Sequence, residues 1–286
     1  MIKNIENIDE MLNLAWELSM NDGSASFPRV SSKKELKAQI ERAVSRNNYN
    51  IITTYYNNKL NGVCIYYWLD DEKYAQTVLF VIKENYEHDA SEMVNYVKSN
   101  LIGYELLIGF PADNLSANKY FMGNGFKCVE SSIVTEMVLH KTTNKHCYHE
   151  KVKEITLDDF DEYSKFHDKF AIPLEMYYNS ENLKNNLKNF KIFAYEENNE
   201  IVGSIFICCL KDGAEVFGLF VDSEFKNMNI EGILINYMVS KLDDIYDSPK
   251  ELLYFIEESS TDELRSALDA GFYIKDKYKC YKQLLA

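Results

Sequence analysis

The chain has 286 residues, 46% of them hydrophobic and 27% charged, which is enough apolar material for two ordinary domain cores. Its formal charge of −14 works against nucleic acid, which needs a clustered Lys/Arg face, and would suit a cationic small molecule or peptide. No apolar run reaches the ~18 residues of a membrane span, and the opening MIKNIENIDE lacks the apolar stretch of a secretory leader, so neither is expected.

In chain order, a first helix is expected around Ile8-Asp9-Glu10-Met11 and a second around Leu36 and Ile40. The run IITTYY near residue 51 reads as a strand. It is followed by Asn57-Asn58 and a second strand through Gly62, a hairpin in which Asn supplies the turn. A third apolar strand ends at Phe80-Val81 and leads into Tyr86-Glu87-His88-Asp89-Ala90-Ser91. Asn114, Ala117, Phe121 and Gly125-Phe126 mark a later helix and its end. The stretch from Lys141 to Glu150 is polar and aperiodic, as a linker should be.

Beyond that stretch the same succession returns. DDFDEYSKFHDKF predicts a helix, with Phe160, Tyr163 and Phe166 at three-residue spacing, and SENLKNNLKNF a second helix capped by Ser180. The strands KIFAYEE and IVGSIFICCL meet at Asn198-Asn199, and AEVFGLFV supplies a third. Next come an apolar-sided helix (GILINYMVSKL), the strand ELLYFIE, and a helix whose Ser260 and Glu263 have capping-box spacing. Gly271 is its expected C′ residue.

The two halves therefore share one order, β/α/α/β/β/β/α/β/α/β. The Asn-Asn pairs lie 141 residues apart, as do Gly62 and Gly203, Phe80-Val81 answers to Phe220-Val221 at 140, and Gly125-Phe126 to Gly271-Phe272 at 146. Landmarks that keep their order and nearly their spacing mark a duplicated domain. The expected copies are 1–142 and 150–286, each α/β (α+β): a mixed, mostly antiparallel twisted sheet flanked by helices.

With a strand-loop-helix at its centre and Gly-Phe after the last helix, this order resembles the GNAT superfamily of acyl-CoA N-acyltransferases, over essentially the whole chain and twice. The resemblance places the central strand's end (Leu219, Phe220, Val221) along the pantetheine arm of acetyl-CoA. It places the following loop (Lys226, Asn227, Met228, Asn229, Ile230, Glu231, Gly232, Ile233) around the diphosphate, at a helix start suited to anions. Lys226 stands at the family's basic position, Asn229 at its first glycine and Glu231 at its second. Ser260 stands at the Asn of the family's N-x-x-A motif, Glu263 at its Ala, and Ala267 where a Tyr is common. In the first half, Tyr86 to Ser91 offers no glycine and two acids, and phosphate binding looks lost there.

The implied activity is acetyl transfer from acetyl-CoA to a primary amine of a small molecule or peptide. Glu215 would be the general base, Glu257 a second choice, and Tyr254 a candidate acid for the leaving thiolate. The alternative is a catalytically inactive GNAT-derived protein that binds a ligand or partner, which the missing glycines and tyrosine favour. No metal is expected, because His146-Cys147-Tyr148-His149 has no second ligand cluster at zinc spacing. Six cysteines scattered in apolar runs fit buried thiols in the cytoplasm. The expected state is a monomer or homodimer, with neither nucleic acid nor a membrane as partner.

Overall fold

The computed structural model describes residues 2–3, 8–139, 149–171, 176, 178–211, 213–246 and 250–286. The first half runs β1 (Ile2–Lys3), α1 (Ile8–Ser19), α2 (Lys33–Ser45), β2 (Tyr49–Tyr56), β3 (Lys59–Leu69), β4 (Tyr74–Ile82), α3 (Tyr86–Asn100), β5 (Glu105–Pro111), α4 (Leu115–Gly123) and β6 (Lys127–Leu139). The second runs β7 (Val152–Glu154), α5 (Phe160–His167), α6 (Ser180–Asn185), β8 (Phe190–Glu197), β9 (Glu200–Leu210), β10 (Gly213–Val221), α7 (Ile230–Ile245), β11 (Lys250–Glu257), α8 (Thr261–Asp269) and β12 (Tyr273–Leu284). This is the duplicated order that the sequence predicts. Residues 141–148 of the linker expected at 141–150, and with them all of His146–His149 but His149, lie outside the described residues.

Local chemistry explains the matching elements. Asn57 and Asn58 take φ of 50° and 61°, and Asn198 and Asn199 take 52° and 65°. A tight hairpin needs two successive left-handed residues, and Asn reaches that region at little cost. Helix α2 begins with a reciprocal cap, in which Ser32 Oγ accepts from Glu35 N at 3.1 Å and Glu35 accepts from Ser31 N at 2.7 Å. Helix α6 departs from expectation. Its cap is Asn179, accepting from Asn182 N at 3.0 Å, and it gives way to a 3-10 turn at Leu187–Asn189.

The compact units are not the two sequence halves. One comprises Met1–Ser132 with Lys277–Ala286, the other Ile133–Asp276. In the first, strand order is β1-β2-β3-β4-β5-β12, antiparallel throughout except for the parallel pair β4/β5. In the second it is β7-β8-β9-β10-β11-β6, with β10/β11 parallel. The last strand of each copy is thus divided: β6 passes into the second unit from Ile133 on, and β12 into the first from Lys277 on.

Each unit is a three-layer sandwich. In β3, Val63 and Ile65 face α1 and α2, meeting Met11, Leu36 and Ile40, while Cys64 and Tyr66 face α3 and α4. In β9, Ile205 and Ile207 face α7 and α8, while Phe206 and Cys208 face α5 and α6. Among the described residues no helix is long and apolar enough to cross a membrane.

Candidate active site

The second unit opens where two parallel strands part. β10 and β11 pair only from Gly213↔Glu251 to Val216↔Tyr254, yet β10 stays beside β9 as far as Val221↔Gly203. The register of β10 on β9 slips between Val216 and Gly218, a bulge that turns the rest of β10 away from β11. Gly218 permits it: a Cβ there would meet Phe206 Cε1 at 2.5 Å. The wedge so made is a cleft of about 440 Å³, walled by Leu219, Phe220 and Val221 on one side and by Ser259 to Glu263 on the other. Phe170, Lys226 and Glu231 complete the lining.

The chain leaves the wedge through a 3-10 turn, Ser223–Met228, and enters α7 at Asn229. Asn229 is left-handed (φ 55°, ψ 34°), and its side chain makes no cap hydrogen bond to the helix. The first amides of α7 are therefore left to an outside acceptor, and the helix dipole makes that acceptor preferably an anion. Gly203 sets how near this helix start lies to the sheet, since a Cβ there would meet Ile230 Cγ2 at 2.6 Å.

The first unit has the same parting strands but a filled wedge. β4 and β5 pair only over Tyr74–Gln76 and Glu105–Leu107. Beyond them Phe80 lies 5.9 Å from Phe110 and 5.6 Å from Phe121, ring centre to ring centre, and Tyr86 lies 6.2 Å from Tyr120. Tyr86 is the first residue of α3, so the helix start that would face a ligand carries a ring turned inward. Nearby, buried Asp89 accepts from Asn61 Nδ2 at 2.7 Å.

No family model and no curated protein matches the sequence. Solved structures do. A GCN5-related N-acetyltransferase from Sphaerobacter thermophilus superposes with a TM-score of 0.64, covering 99% of this chain and 95% of that one at 12% identity. The GCN5-related glucosamine N-acetyltransferase region of a fungal multi-domain GH3 beta-N-acetylglucosaminidase gives 0.57 at 12% identity, over 99% of this chain and 38% of that one. An acetyltransferase of the GNAT family from Colwellia psychrerythraea gives 0.50 at 13% identity, over 99% of both chains.

The chain has the GNAT fold.

Within that fold, six of the residues nominated for the cofactor line the cleft: Leu219, Phe220, Val221, Lys226, Glu231 and Ser260. Asn227, Met228, Asn229, Ile230, Gly232 and Ile233 build the turn and the first turn of α7 without lining it. The three catalytic candidates are not gathered there. Glu215 is half-buried in the paired part of β10, opposite Cys208 and Leu253, on the face that carries α5 and α6. Glu257 is exposed at the end of β11, its carbonyl accepting from Ser260 N at 2.8 Å. Tyr254 is 1% exposed, with its side chain in the core.

Glu263 is the site residue that sequence reasoning passed over. Its spacing from Ser260 reads as a capping box, but Ser260 makes no side-chain cap. The Glu263 carboxylate instead accepts the Tyr254 hydroxyl. Burial, together with the nearby Glu231 and Glu257 charges, outweighs that hydrogen bond and pushes its pKa up to about 7. The available signal was an acid at the Ala of N-x-x-A, a place that faces the cleft.

Proposed function

We propose that the second unit is an N-acetyltransferase, transferring the acetyl group of acetyl-CoA to a primary amine of a small molecule or peptide by direct attack. The observation that carries the reading is the open wedge between β10 and β11, with a basic side chain and a helix start at its mouth. The freed edge at Leu219–Val221 offers backbone groups to the amides of the pantetheine arm, as a sheet edge does to an added strand. The first amides of α7 and the Lys226 ammonium suit a diphosphate. Glu231 is the unfavourable neighbour, while the raised pKa of Glu263 removes part of that residue's charge at neutral pH. Bound acetyl-CoA would supply the activated acyl group.

The acceptor would approach from the α5/α6 face, where Glu215 would take the ammonium proton through water. The protein would work in the cytoplasm, which suits the five free cysteines among the described residues. It would act as a monomer or homodimer.

Calorimetry with acetyl-CoA tests this directly. One molecule should bind per chain, because the first wedge is filled with rings, and Lys226→Ala should weaken binding about tenfold by removing one charge-assisted contact. Glu215→Gln should slow turnover about 100-fold with affinity retained. The second reading, a GNAT-derived binding protein without catalysis, draws on the cleft's three carboxylates (Glu231, Asp262, Glu263) against one ammonium. No binding at millimolar acetyl-CoA would favour it.

A further inference from the structure

Neither unit places a tyrosine at the position from which GNAT enzymes commonly protonate a leaving thiolate: Phe121 stands there in the first unit and Ala267 in the second. Both are fully buried in apolar cores and have no proton to give. Tyr254 has a hydroxyl, but it is already donated to Glu263, and burial followed by the Glu263 charge holds its pKa well above the usual tyrosine value. Glu263 lies on the first turn of α8 and lines the cleft, with one carboxyl oxygen tied to Tyr254. The bond fixes the side chain in place and leaves its other oxygen to carry a proton.

We propose that Glu263 is the acid that protonates the departing thiolate, a proposal that rests on the acetyltransferase reading. As the amine nitrogen bonds to the acetyl carbon, the carbon–sulfur bond breaks and its electron pair leaves on sulfur. The carboxyl proton of Glu263 passes to that sulfur and gives the free thiol. The carboxylate left behind accepts the Tyr254 hydroxyl, and a proton from solvent restores the acid. The surplus proton of the amine leaves separately, to the base.

The groups around Glu263 suit the role. Glu257 of β11 and Glu231 of α7 oppose its ionisation, and burial opposes it more strongly. Asp262 on its own helix adds a third carboxylate to the wall, and Lys226 is the only cation among the lining residues. A helix start favours the ionised form, so the raised pKa is reached against the dipole.

The test uses the full-length protein, acetyl-CoA and a panel of simple primary amines, following loss of the thioester absorbance. Glu263→Gln keeps the shape of the side chain and its contact with Tyr254, and its fold is checked by thermal melting. The expected result is a fall in kcat of about 100-fold with acetyl-CoA affinity changed less than about threefold. Wild-type kcat should decline as pH rises through about 7, and that limb should be absent in Glu263→Gln. Tyr254→Phe removes a bond that lowers the Glu263 pKa, so it should move the limb to higher pH, which a merely structural role would not do. Wild-type-like kcat and pH profile in Glu263→Gln would overturn the proposal and leave the transferase reading standing. Wild-type protein that neither binds acetyl-CoA nor consumes it would overturn both.

Discussion

Phe121→Ala is expected to lower the stability of the first unit by about 3–5 kcal/mol. Phe121 is 0% exposed, and its ring centre lies 4.9 Å from that of Phe126, 5.0 Å from Phe110 and Tyr120, and 5.6 Å from Phe80. Tyr281, from the chain's last strand, lies 5.9 Å away on a nearly parallel plane. Deleting the ring removes both its transfer free energy and the contacts of five neighbours that cannot all collapse into the gap. Both tryptophans, Trp16 and Trp68, belong to this unit, so their fluorescence in a urea titration reads its unfolding. A loss below about 1 kcal/mol would mean that the rings tolerate a void, and hence that the wedge between β4 and β5 is not a packed core.

The comparison between the units shows how one fold is turned to two ends. Both keep the short parallel pairing and the parting strands. In one unit, aromatic residues at 80, 86, 110, 120 and 121 pack ring against ring where the strands part. In the other, the corresponding part of the wedge is walled by the β10 edge, a serine and threonine turn, and acids. By register on β3 and β9, Leu219 is the equivalent of Phe80 and Phe220 that of Val81, so the 140-residue match of the two Phe-Val pairs is one residue out of structural register. Phe220 lies on the α5/α6 face, where it stacks on Phe170 at 5.1 Å, and a leucine stands where the first unit has the Phe80 ring.

Much of this was legible in the sequence, for physical reasons that can be named. The Asn-Asn pairs predict hairpins because few other residues accept two left-handed positions in succession, and their spacing exposes the duplication. Alternation in the strands and three- to four-residue spacing in the helices predict the layers. The exchange of β6 and β12 was not legible. Periodicity tells which face of a strand is buried and is silent about which strand it lies beside, so boundaries at 142 and 150 follow covalent order while the compact units divide at Ser132/Ile133 and Asp276/Lys277. Glu263 was hidden for a different reason. Ser-x-x-Glu has a well-founded local reading, and only the arrival of Tyr254 from a separate strand displaces it. Local signals predict local bonds, and a site built from β10, β11, α7 and α8 depends on contacts that no short window contains.

His167 is where acidification should act on the second unit. The ring is 0% exposed, with Tyr163 Oη 2.9 Å from Nδ1 and the Tyr178 carbonyl 2.8 Å from Nε2. A carbonyl only accepts, so Nε2 carries the hydrogen, and Nδ1 of the neutral ring accepts from the Tyr163 hydroxyl. Burial holds its pKa below the usual 6.5, against the opposing pull of the Tyr178 carbonyl and Asp168. The unfolded chain therefore binds a proton at a higher pH than the folded one does. The stabilisation is fully present above pH 6.5 and is lost as pH falls from there through the lower folded value. Glu263, with its raised pKa, adds stability as pH falls through about 7, so the His167 effect is read against His167→Gln, which keeps Glu263 but cannot titrate at 167: urea midpoints measured from pH 8 to 5 should fall in the wild type relative to the variant below pH 6.5. At pH 8, His167→Ala should cost about 3 kcal/mol, since it leaves a cavity and takes a partner from both Tyr163 and Tyr178. The His167 ring also lies 5.5 Å from Phe220, a wall of the cleft. A charge forced onto His167 would have to be solvated at the expense of the packing that holds that wall, so the same protonation that weakens the fold should act first on the aromatic side of the site. A wild-type midpoint that keeps a constant offset from that of His167→Gln down to pH 5 would remove His167 from this role.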